Sequence, residues 1–251
     1  MDNVEDRFPL HSAAREGQVT AADTLLKSEP KLATREDGDG RLPIHWAASS
    51  NSLEIILLLA QQHAFDPDVQ DGSGWTPLMI AASLKDGDAL VKLLLQRGAD
   101  VNLKSEIQRR NSIRQPHEAA NVAQCVLHLV ASKNNLDIAK MLLGHDPAAS
   151  VRVRDRRGQY PIHRAAAVGS APMTTLFIKH HSPINATDIS GYTALHHAVA
   201  EGHGDTAVAL LKAGAEAHKR DNDGCLALDL APDQAVRRYI QRAAEREGID
   251  I

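Results

Sequence analysis

Seven helix–turn–helix units stacked in chain order, an all-α solenoid with hairpin-like fingers between the units, follow from two features of the sequence. The first is a unit legible in Asp71 to Ser83. There Gly74 frees the backbone at a turn, Thr76 can cap, Pro77 suits the first helical position, and Leu78, Ala81 and Ala82 begin an apolar face. A second apolar run, Leu90 to Leu95, follows and stops at Gly98. The second feature is recurrence. The third residue of the first helix is His11, His45, Met79, His128, His163, His196 and Asp229 in successive units, with separations of 34, 34, 49, 35, 33 and 33 residues.

A period near 33 residues with a turn and two helices per unit resembles the ankyrin-repeat family. A single unit cannot bury its apolar face, so neighbours must stack. The expectation is one elongated domain over 1–251, with caps near 1–36 and 221–251 and an insert in a finger near 103–123. Aromatic residues are only 3% of the chain, which leaves Ala, Leu, Ile and Val to fill thin helical layers.

The units read in order as follows. The first keeps the helix start (Phe8 to Ala14) but has a polar preceding turn without glycine, as an N-terminal cap requires. The second carries Arg41 just past the turn glycine and Trp46 on its first helix; tryptophan and arginine are enriched among interface hot spots. The third and sixth place Trp75 and Tyr192 at the position of Arg41, which predicts exposed aromatics awaiting cover by another chain. The fourth is preceded by a polar, basic insertion of about 15 extra residues relative to the repeat period. That insertion predicts a flexible loop, and its Arg109-Arg110-Asn111-Ser112 matches kinases that read upstream basic residues, making Ser112 a candidate phosphorylation site. Lys133 follows the first helix of the fourth unit, and the fifth concentrates Arg152, Arg154, Arg156, Arg157 and Arg164. The seventh ends in a helix from Gln234 to Glu247, with Arg237, Arg238, Arg242 and Arg246 outside and Val236, Tyr239 and Ile240 inside.

Charge is zoned: residues 1–100 hold 9 basic and 16 acidic side chains, residues 101–181 hold 12 and 5, and residues 182–251 hold 7 and 11. Such zones suit a protein partner with the reverse pattern. A nucleic-acid face is disfavoured by the acidic zones beside the basic one and by the lack of any nucleic-acid module. Cys125 and Cys225 read as small buried residues of an intracellular protein, with no disulfide or metal pair, and no apolar segment approaches a membrane span. The expected location is cytoplasm and nucleus. Thirteen histidines invite a metal or catalytic reading, but five occupy the repeated helix start, and sequential pairs such as His180-His181 do not share a helical face. With no phosphate-cradling loop and no nucleophile elbow, neither an enzyme nor a cofactor is expected.

Several stretches are similar to a narrower family, the gankyrin-like ankyrin proteins of the proteasome regulatory particle. They are Lys31 to Arg35, Arg41 to Ala48, Gly74 to Ser83, Ala131 to Asn134 and His163 to Ala167. The resemblance implies an assembly chaperone, monomeric alone, whose concave face grips the C-terminal domain of one base ATPase subunit. It implies that Arg41 and Lys133 pair with acidic residues of that domain. It also implies that Trp46 and Trp75 lie on the same face, and that Asp39 and Asp71 meet basic residues of the partner. Arg164 and Tyr192 complete the expected contact set. Two departures stand out: the insertion, and His197 to Glu201 in place of the Leu-x-Cys-x-Glu motif associated with retinoblastoma-type partners, which removes that expectation. The competing reading is a generic ankyrin adaptor, such as a signalling scaffold or a ubiquitin-ligase substrate receptor.

Overall fold

Proline opens four of the six inner helices, which are built on short runs of alanine, and leucine-rich runs build most of the outer ones. The computed structural model describes residues 7–105 and 124–251. It divides into two compact units, Met1–Val126 and Leu127–Ile251. Where the sequence reads as one continuous domain, the division falls at the 49-residue spacing, as it must in an array whose repeats touch only their neighbours.

The first unit pairs α1 (Pro9–Glu16) with α2 (Val19–Ser28), α3 (Pro43–Ser49) with α4 (Leu53–Leu59), and α5 (Pro77–Ser83) with α6 (Asp88–Gln96). The second pairs α7 (Val126–Lys133) with α8 (Leu136–Leu143), α9 (Pro161–Ala167) with α10 (Ala171–Lys179), and α11 (Ala194–Ala200) with α12 (Gly204–Lys212). It closes with a 3₁₀ turn (Ala227–Leu230) and α13 (Gln234–Arg246). Inner helix packs on inner helix, α1 on α3 on α5 and α9 on α11. The layers are thin because Ala47, Ala48, Ala81, Ala82, Ala165, Ala166 and Ala198 are wholly buried and let backbones approach. The largest wholly buried side chain is Phe177 on α10.

The helix-start histidines are structural ties. In His45, His163 and His196, Nδ1 accepts the backbone N–H of the N-cap residue, at 3.0, 3.1 and 3.2 Å. In His11, His45, His128 and His163, Nε2 lies 2.9–3.1 Å from a carbonyl oxygen of the next finger: Arg41, Val69, Gln159 and Ala186. A carbonyl can only accept, so Nε2 carries the proton that bridges repeat to repeat. Burial pushes His11, His45 and His196 below the ordinary histidine range, and His163 down to about 4. Met79 has no such capacity. In its unit Thr76 Oγ1 accepts the Met79 N–H instead, and the following finger is the one with the insertion.

The fingers themselves are turns, and among the described residues there is no strand, only isolated bridges at Lys104–Cys125 and Arg220–Leu226. The first bridge is reinforced by Ser105 N–H donating to Gln124 O at 2.9 Å, so the insertion leaves and re-enters the fold at one closed base. Ser112 and the rest of 106–123 lie outside the described residues. On α13, Ile240 is buried and Val236 half-buried, as the sequence predicts. Tyr239 departs from that expectation: it is 49% exposed, because its ring lies over Gly204 and its hydroxyl reaches Asp205 at the outer edge of α12.

Candidate functional site

Five of the fingers are closed by an aspartate bracket. Oδ1 of Asp37 accepts the N–H groups of Asp39 and Arg41, both at 2.9 Å. Asp71 does the same for Ser73 and Trp75, Asp155 for Arg157 and Gln159, Asp188 for Ser190 and Tyr192, and Asp221 for Asp223 and Cys225. A short carboxylate that bonds the backbone two residues on favours such a turn. The residue three past the aspartate must turn left-handed, and it is always glycine, with φ of 69° at Gly40 and 73° at Gly158. With Oδ1 spent on the turn, Oδ2 is free to hold a side chain at the working surface.

In the first unit, Asp37 Oδ2 accepts from Trp46 Nε1 at 2.8 Å, and Asp71 Oδ2 accepts from Arg41 Nε at 3.2 Å. The Arg41 guanidinium stands 5.1 Å from the Trp46 ring centre and that of Arg15 stands 5.9 Å from it. Arg41 therefore lies across Trp46 with its Nε edge on Asp71, its side chain 34% exposed. Burial raises the Asp37 carboxyl, but hydrogen bonds from Trp46 and from the backbone of Arg41 and Asp39 outweigh it and hold the group below its ordinary range. Arg41, just past the turn glycine, folds back along the finger because Asp71 offers a carboxylate. Asp71 was expected to meet a partner directly. Its side chain is 2% exposed and both oxygens are engaged internally, so it acts by holding Arg41. Asp39 is exposed at the tip, and Trp75 is half-buried just past its glycine.

In the second unit, Arg164 donates to Asp155 Oδ2 at 3.0 Å, the carboxylate being wholly buried and the arginine 21% exposed. Asp188 Oδ2 accepts from Gln159 Nε2 at 3.0 Å and from His197 Nε2 at 2.9 Å. Burial raises the Asp188 carboxyl, and those two donors with the backbone of Tyr192 and Ser190 more than reverse it. Tyr192 is not an exposed tip residue: its ring stacks on His196 at 5.4 Å and meets His197 edge-on at 5.4 Å. Arg154 covers Tyr160 at 5.0 Å. Lys133, at the C-terminal end of α7, is exposed and has no ion pair among the described residues.

The first four members of the expected contact set, Asp39, Arg41, Trp46 and Asp71, thus gather with Trp75 on fingers and α3 of the first unit. Lys133, Arg164 and Tyr192 belong to the second. Among the described residues no three His, Cys, Asp or Glu side chains converge as a metal cage, and no helix is long and apolar enough to cross a membrane.

A family model described as ankyrin repeats (3 copies) matches residues 10–105 and 127–221. This chain belongs to the ankyrin-repeat family. Within it the chain is gankyrin-like. It is 37% identical over 92% of its length to the "Probable 26S proteasome regulatory subunit p28" of Saccharomyces cerevisiae, covering 96% of that protein. It is 33% identical over 91% of its length to "Ankyrin repeat-containing protein C6C3.08" of Schizosaccharomyces pombe, covering 92% of that one. Among solved structures, the ankyrin repeat domain of human ASB11 superposes with a TM-score of 0.77 at 19% identity, over 94% of this chain and 97% of that one. That likeness speaks to the fold.

Five residues of this ankyrin-repeat chain that shape the site carry little weight in the sequence alone: Arg15, Asp37, Asp155, Gln159 and His197. The aspartates had a signal, an Asp three residues before every finger glycine at 37, 71, 155, 188 and 221. His197, Arg164 and Trp46 share another: each sits nine residues past its bracket aspartate, the distance from finger to inner helix. Arg15 has none, since it reaches Trp46 from a neighbouring repeat.

Proposed function

We propose that this chain is a non-enzymatic assembly chaperone of the proteasome regulatory particle. In this reading it binds, in cytoplasm and nucleus, the C-terminal domain of one base ATPase subunit. The observation that carries the reading is the Arg41 side chain, laid across Trp46 and held by the buried Asp71. A cation fixed in this way loses little conformational freedom when a carboxylate docks on its remaining N–H groups, so its binding energy is not spent on ordering. The relationship to a protein named as a proteasome regulatory subunit supports the choice of partner. The exposed Lys133, without an ion pair among the described residues, supplies a second cation, and exposed Asp39 a carboxylate for a basic partner residue. Occupying the ATPase domain would delay its docking on the core particle until the ring is complete.

The test is binding of the purified chain to the isolated C-terminal domains of the individual base ATPases, with Arg41→Ala and Lys133→Ala beside the wild type. One domain should bind, and the double substitution should weaken it by more than about 1.4 kcal/mol, a factor of ten. If no ATPase domain binds at micromolar concentration, the chain is an adaptor for some other protein.

A further inference from the structure

The finger tips of the second unit are knitted together through main chain. Ile189 N–H donates to Arg157 O at 3.0 Å, Asn222 N–H donates to Ser190 O at 3.2 Å, and Asn222 Nδ2 donates to Ile189 O at 2.9 Å. Gly158 permits the closeness, since a Cβ there would stand 3.3 Å from the Ile189 nitrogen. Residue 189 is therefore clamped from both sides. Its side chain is nevertheless 69% exposed, the most of any large hydrophobic among the described residues. At the same position, one past the bracket aspartate, the other fingers carry Gly38, Gly72, Arg156 and Asn222, none of them apolar.

The charge beside it is lopsided. On the preceding finger Arg152, Arg154, Arg156 and Arg157 are all exposed. The one carboxylate of that finger, Asp155, is buried and bound to Arg164. Arg154 lies on Tyr160 and Arg152 bonds the His181 carbonyl, whereas Arg156 and Arg157 have no ion pair among the described residues. On the following finger the exposed side chains are Arg220, which donates to the Gly224 carbonyl at 2.7 Å, Asn222 and Asp223. A rigid apolar anchor is thus bordered by four exposed arginines on one side and by a mixed face of Arg220, Asn222 and Asp223 on the other. Cations alone would suit a phosphate backbone, but a rigid outward isoleucine beside them does not; it suits a pocket in a folded protein.

We infer that Arg156, Arg157 and Ile189 form a docking ridge for a protein surface that offers an apolar recess bordered by carboxylates. The inference rests on the proposed function, in which that surface belongs to the ATPase domain, and names a contact distinct from Arg41 and Trp46. Because the ridge is preformed, its contribution is felt without reordering the fingers.

The test is calorimetric titration of the full chain with the isolated ATPase C-terminal domains. Ile189→Ser and the double Arg156→Glu, Arg157→Glu would be compared with Arg41→Ala, after circular dichroism has shown that all are folded. Each ridge variant should bind about tenfold more weakly, and the double variant should lose part of the salt dependence. If Arg41→Ala weakens binding while both ridge variants match the wild type, the ridge is overturned and the chaperone reading stands. If no domain binds the wild type, the chaperone reading falls. The ridge, which rests on that reading, falls with it. An RNA oligonucleotide that binds through the arginines with Ile189→Ser unaffected would also overturn it.

Discussion

The two units build their working surfaces on the same bracket and decorate it differently. In both, one carboxylate oxygen closes the finger and the other presents a side chain. In the first unit the presented groups are Trp46 and Arg41, overlapping each other across adjacent repeats. In the second they are Arg164 on its own carboxylate and the His197–Gln159 pair on another, with Tyr192 packed against the histidines. The difference shows how a repeat varies recognition without altering its fold: the structural half of each aspartate recurs, and the residue on its other half is free to change. It also means that burial, deeper at Asp155 than at Asp37, sets how much stability each bracket carries.

The largest effect that could break the comparison is at Asp155. Asp155→Ala removes two turn hydrogen bonds and leaves the half-buried Arg164 without its carboxylate, a loss of about 3–5 kcal/mol by analogy with other broken buried pairs. Asp37→Ala should cost clearly less, since its carboxylate is only half-buried and serves a neutral indole. Both tryptophans lie in the first unit and all three tyrosines in the second, so tryptophan fluorescence in urea follows Asp37 variants, and hydrogen exchange over 155–200 follows Asp155 variants. Equal losses would mean that burial does not distinguish the brackets.

Next in size is the response to acid. His163 is held neutral in the fold, its value lowered to about 4 from 6.5, so the unfolded chain binds a proton first as pH falls. The stability associated with it is present above pH 6.5 and is lost as pH falls from 6.5 to 4, by about 3 kcal/mol in total. His45 and His11 in the first unit and His196 in the second are lowered too and act in the same direction. Below pH 3.8 the lowered Asp37 and Asp188 carboxyls withdraw further stability as they protonate. Hydrogen exchange over α9 at pH 7.5 and 4.5 should show the first loss, and His163→Gln should flatten it. An unchanged profile in that variant would place the acid sensitivity elsewhere.

The architecture was legible in the sequence because its signals are local and repeat: a histidine at the third helical position in five units, a glycine in five of the turns and alanine pairs on the inner helices. The division into two units was legible only as an irregular spacing, 49 residues where 33 to 35 prevail, since strength of packing is not written in a period. The site was legible in part. Arg41 and Trp46 stand out by residue type, but their direction depends on what the neighbouring repeat offers, Asp71 to one and Arg15 to the other. The same reason explains Tyr192, which sequence position alone puts in solvent and which His196 and His197 hold against the fold. Tyr239 turned outward for want of any local cue to Gly204, whose missing side chain receives its ring.

The smallest effect sharpens the comparison at the helix starts. In the sixth repeat both a threonine and a histidine serve the start of α11: Thr193 Oγ1 faces the His196 N–H at 3.4 Å, while His196 Nδ1 accepts the Thr193 N–H at 3.2 Å. In the third repeat methionine replaces the histidine, and Thr76 Oγ1, 3.2 Å from the Met79 N–H, is the side-chain cap. Thr76→Ala should therefore cost about 1 kcal/mol, the ordinary value of a lost N-cap, and because Thr76 is only 1% exposed no water replaces the hydroxyl. Tryptophan fluorescence reads this change directly, since Trp75 precedes the cap. Thr76→Ser keeps the oxygen and should recover most of the loss. If serine is no better than alanine, the threonine methyl rather than its cap holds the third repeat, and the histidine ties elsewhere are a feature of packing more than of helix initiation.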